Sequence, residues 1–80
     1  MPSLPTLAEL PVGKSSTIAS VRDSGPSVIR LQELGLVPGT QVTMVRRAPL
    51  GEPIEIEVRG SRLAMRNHEA VYFTVEAELK

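Results

Sequence analysis

Hydrophobic and polar residues alternate most cleanly at Ile54-Glu55-Ile56-Glu57-Val58, the period of two expected of a strand with one face in a core. Arg59-Gly60 follows as a two-residue turn, with a glycine able to take positive φ. Pairing Val58 with Ser61 then sets Ile56 opposite Leu63 and Ile54 opposite Met65, all on one face. The other face pairs Glu57 with Arg62 and Glu55 with Ala64. A slip of one residue would turn the isoleucines toward water, so the pattern predicts a single register.

The remaining elements are predicted by similar signals. Thr6-Leu7-Ala8-Glu9 has the spacing of a capping box, and the single turn it starts packs Leu7 and Leu10 against the core. Ser15 to Val21 reads as a strand, and Asp23-Ser24-Gly25-Pro26 as a turn. Ser27 to Leu34 is a helix with Val28, Leu31 and one of Ile29 or Leu34 on its inner face; Arg30 and Glu33 look outward. Its end is well marked. Gly35 sits where a left-handed C′ residue belongs, Leu36 is placed to contact Leu31, and Pro38 forbids continuation.

Gln41 to Arg47 is a further strand, although Val42, Met44 and Val45 do not settle its buried face. Ala48 to Pro53, with two prolines and a glycine, is a stiff loop. Asn67-His68-Glu69-Ala70 suits a 3-10 turn. Val71, Phe73 and Val75 then line the inner face of a last strand, with Tyr72, Thr74 and Glu76 outside and residues 77–80 fraying. The fold class is mainly β: a small SH3-like five-stranded barrel, with one short α-helix after the first strand and a 3-10 turn before the last. Its strands are shorter than an OB-fold requires. Residues 1–80 form one domain with a core of about 6–76.

Composition narrows the function. Nine basic and nine acidic residues cancel, and the two aromatics, Tyr72 and Phe73, are adjacent and face opposite ways. Neither a basic face nor a stacking platform is available for nucleic acid. No apolar run nears the ~18 residues that cross a bilayer, and Met1 to Leu10 lacks the pattern of a secretory signal. The expected place is the cytoplasm, with any membrane association peripheral and through a partner. Without cysteine there are no disulfides or thiolate sites. No nucleophile or phosphate-loop motif is present, so no enzyme is expected.

Two sets of residues are candidates for function. Leu50, between Pro49 and Gly51 at the tip of the stiff loop, is an apolar anchor for a protein partner, and Arg46 and Arg47 beside it would orient an acidic surface. The competing reading makes Leu50 a cover for the end of the barrel. His68 and Glu69, with Glu52 on another loop, are the candidates for an opportunistic divalent site, zinc or iron; no cofactor is required. An open strand edge also allows weak pairing of two copies.

The run Leu31 to Thr40, LQELGLVPGT, and the stretch Ala48 to Arg66, APLGEPIEIEVRGSRLAMR, closely resemble FeoA proteins. Leu7-Ala-Glu-Leu near the start and Glu69-Ala70 near the end add to the resemblance, which covers roughly residues 6 to 76. It implies an SH3-like accessory protein of ferrous iron uptake, working by contact with FeoB, a membrane transporter with a GTP-binding domain. Related domains end the iron-dependent repressors, so a stand-alone relative of that domain is one alternative. A generic SH3-like protein-binding module is the other, though two aromatics do not build a proline-rich groove.

Overall fold

The computed structural model describes residues 4–22 and 25–76. Arg59 and Gly60 both take positive φ, 54° and 81°, the geometry that lets a two-residue turn match the twist of its strands. On either side run β3 (Ile54–Val58) and β4 (Ser61–Met65), paired in the predicted register throughout. Ile54 and Ile56 are fully buried and Met65 nearly so, while Leu63 is partly exposed. Across the outer face Arg62 leans diagonally to Glu55, 4.0 Å away, rather than to Glu57 opposite it.

With β1 (Ser15–Val21), β2 (Gln41–Arg47) and β5 (Phe73–Val75) the hairpin makes one antiparallel sheet in the order β4-β3-β2-β1-β5. The architecture is the expected mainly-β, SH3-like one, but β4 and β5 remain the two margins and do not pair with each other. Register shifts between Met44 and Arg46 and between Ile18 and Ser20 interrupt the ladders and bend the strands around the core. The first shift also settles the face of β2. Val42 and Met44 point into the core, after which the irregularity at Val45 changes the phase.

The capping box at Thr6 is present, with its backbone N–H donating to Glu9 Oε2 at 3.3 Å. It opens a 3-10 turn over Leu7–Glu9 that buries Leu7 and Leu10. The same segment covers the outer edge of β5: Val75 N–H donates to Pro5 C=O at 2.9 Å, and Thr6 bridges to Thr74.

Helix α1 spans Pro26–Glu33, one residue earlier at each end than predicted, because Pro26 occupies its first turn and Leu34 its C-cap. The stop is as expected. Gly35 takes φ 121°, its N–H donates to Gln32 C=O at 3.0 Å, and Leu36 N–H donates to Leu31 C=O at 3.1 Å. Val28 and Leu31 face the core, but Ile29 and Leu34 are both exposed; Leu36, after the turn at Gly35, is fully buried.

The turn before the last strand, α2 (Asn67–Ala70), is closed by bonds four residues apart, Ala70 N–H to Arg66 C=O and Val71 N–H to Asn67 C=O, both 3.1 Å. It is one turn of α-helix where a 3-10 turn was expected. Its end at Val71 delays the start of β5, where Phe73 and Val75 are buried as predicted. Val71 is exposed and Ala70 buried in its stead, and Thr74, expected outside, is covered and bonded to the Ser20 hydroxyl. Among the described residues no helix is long and apolar enough to cross a membrane. Asp23 and Ser24 of the predicted turn, and the predicted fraying of residues 77–80, lie outside the described residues.

Candidate functional site

Ala48-Pro49-Leu50-Gly51 forms a turn closed by Gly51 N–H donating to Ala48 C=O at 2.8 Å. Proline at its second position and glycine, at φ 98°, at its fourth suit such a turn. A second bond, Ala48 N–H to Pro53 C=O at 3.1 Å, ties the base of the loop. From the other side α2 braces it: Asn67 N–H donates to Glu52 Oε1 at 2.7 Å, Asn67 Nδ2 to Gly51 C=O at 3.4 Å, and Arg66 Nη1 lies 3.6 Å from Glu52 Oε2. At the tip of this held loop Leu50 is 96% exposed. It covers nothing.

The two arginines that precede the loop part company. As neighbours on a strand they point to opposite sides. Arg46 stays exposed and pairs with Glu55 at 3.5 Å, an attraction worth little in water. Arg47 turns toward the N-terminal 3-10 turn, where its Nη2 donates to Ala8 C=O at 2.6 Å and Leu10 C=O at 3.0 Å. Its guanidinium ties β2 to that turn. The structure thus gathers Pro49, Leu50 and Gly51 at the tip with Arg46 at the rim, and turns Arg47 to the N-terminal turn.

The three candidate ligands are placed differently. His68 is exposed on α2. Glu69 accepts from Arg66 N–H at 3.0 Å and lies 4.0 Å from Arg30 Nη2. Glu52 is held by Asn67 and Arg66. Among the described residues no three His, Cys, Asp or Glu side chains are grouped so as to hold a metal ion. An open, polar depression of about 440 Å³, lined by Thr40, Gln41, Thr43, Glu57, Arg59 and Gly60, includes none of the predicted site residues. Asn67, which locks the loop, carries no sequence signal for that task, because its partners lie 15 and 16 positions away.

Comparison with known proteins places these features in a lineage. Residues 6–77 match the family model described as FeoA domain. The chain is 31% identical over 70 residues to an Fe(2+) transport protein A/Fe(2+) transporter FeoB fusion protein of Porphyromonas gingivalis. That match covers 88% of this chain and 8% of the relative, so the chain spans a small part of the relative's length. Among solved structures, the FeoA protein of Chlorobium tepidum superposes with a TM-score of 0.82 at 41% identity, covering 89% of this chain and 68% of that one. The FeoA of Stenotrophomonas maltophilia, solved with zinc and described as an SH3 domain protein, gives 0.78 at 40% identity, covering 89% and 88%.

Proposed function

The chain belongs to the FeoA domain family, which is linked to ferrous iron transport, and from that premise we propose that it is a cytoplasmic accessory protein that works by touching a FeoB-type transporter. The observation that carries the reading is the fusion relative, in which a like domain and such a transporter share one chain. Tethering raises the effective concentration of two parts for each other, which matters only for parts that meet. In this protein the loop tip is the surface best suited to the meeting. Leu50 is presented by a turn already ordered before contact, so little entropy is lost on docking. Arg46 at the rim contributes steering more than affinity. Its role is to regulate or assemble the transporter, with no chemistry of its own.

The test is calorimetric titration of this protein into the soluble GTP-binding domain of the FeoB-type transporter of its own organism. Leu50→Asp is expected to weaken binding by about ten- to thirtyfold, about 1–2 kcal/mol, while the far-UV spectrum and melting temperature stay unchanged. Binding that is indifferent to the substitution removes Leu50 from the interface, and no binding by the unsubstituted protein removes the transporter contact.

A further inference from the structure

The two margins of the sheet are treated unequally. The outer edge of β5 is covered by Pro5 and Thr6, whereas among the described residues β4 has a neighbour on one side only. Because a two-residue turn makes Val58 and Ser61 a hydrogen-bonded pair, the bonded pairs continue at Ile56–Leu63 and Ile54–Met65. The N–H and C=O groups of Arg62 and Ala64 therefore point away from β3, along an edge to which no described segment is paired.

We propose that this edge receives the β4 strand of a second copy, antiparallel, with the two-fold axis at Leu63. In that register Arg62 faces the partner's Ala64 and Ala64 the partner's Arg62. All four outward groups of each strand are then bonded. The side chains are self-complementary on both faces. On the inner side, Leu63, the one member of the hairpin's apolar set left partly exposed, meets its own copy at the short distance of a non-bonded pair. On the outer side the rows read Glu57, Arg62, then the partner's Ala64 and the partner's Glu55. The small Ala64 leaves the way open for Arg62 to reach that glutamate two strand spacings off, about 10 Å. Arg62 already spans a comparable diagonal, since it lies 4.0 Å from the Glu55 of its own chain. The pairing is independent of the transporter contact: it uses the sheet edge and makes no use of Leu50.

Sedimentation equilibrium across the micromolar to millimolar range tests the proposal. The unsubstituted protein is expected to show a reversible monomer–dimer equilibrium. Ala64→Pro removes an outward donor without touching the bonds to β3 and is expected to weaken it about tenfold or more. Arg62→Glu and Glu55→Lys are each expected to be monomeric alone, because each sets like charges together across the axis. Mixed, they restore an opposite pair in both rows, so the mixture is expected to dimerise while each melts as a folded domain. A protein that stays monomeric throughout overturns the proposal and leaves the edge to an extended segment of another protein. Dimers that survive Ala64→Pro, or a mixture that does not recover, overturn it too.

Discussion

Leu36 and Leu50 have the same side chain and opposite fates: the first is completely buried, the second 96% exposed. Neither outcome follows from the residue's hydrophobicity. Gly35 turns Leu36 back over the helix, while Pro49 and Gly51 hold Leu50 outward at the tip of a turn. Arg46 and Arg47 make the same point for charge. A pair of arginines beside a presented leucine reads in sequence as one basic rim, yet Arg47 donates to two carbonyls, of Ala8 and Leu10, nearly forty positions away. Such a long-range bond leaves no local pattern. Arg47→Ala is therefore expected to cost about 2 kcal/mol of stability, the order for losing charge-assisted bonds to half-buried acceptors. Urea unfolding measures that cost. Affinity for the transporter domain, measured where the variant is folded, should not move. An unchanged urea midpoint with lost binding would return Arg47 to the interface.

Elements that carry their own punctuation were legible. The β3–β4 hairpin follows from strict alternation and a two-residue turn, and α1 ends where Gly35, Leu36 and Pro38 say it must. The features that escaped are those no local pattern encodes. The irregularities in β1 and β2 depend on their neighbours, the start of β5 is set by where α2 ends, and the brace between Asn67 and Glu52 joins α2 to a loop 15 positions earlier. The exposure of Leu50 was one of two readings, and only the fold chooses between them. The helix stop offers the sharpest test at this scale. Gly35 has φ 121°, far outside the left-handed range that an L residue tolerates, although a Cβ there would make only ordinary contact with Arg59 Cδ at 3.4 Å and Val58 Cγ2 at 3.6 Å. Gly51, at φ 98°, has open space around it. Gly35→Ala is expected to lower stability by about 1–2 kcal/mol, and by more than Gly51→Ala does. Equal urea midpoints for the two variants would mean that the helix stop holds no more backbone strain than the loop tip.

At the scale of the molecule, the question is how 80 residues without cysteine close a core. The sheet does not close on itself; its β5 margin is sealed by the segment before β1, which buries Leu7 and Leu10, caps Val75 with Pro5 and receives Arg47. The family match likewise begins at residue 6, well before β1. That segment is thus part of the fold and no mere leader to it. Each buried leucine is worth about 2–5 kcal/mol on truncation, so losing both rivals the whole stability of a small domain, about 5 kcal/mol at the low end. Removing residues 1–13 is expected to abolish cooperative unfolding in calorimetry and to collapse amide dispersion in NMR spectra. The exposed β5 edge should also make the remnant prone to association through that strand. If the shortened chain instead melts cooperatively within a few degrees of the parent, the sheet and α1 suffice to hold the core. The N-terminal turn would then be an ornament on a barrel that needs no seal.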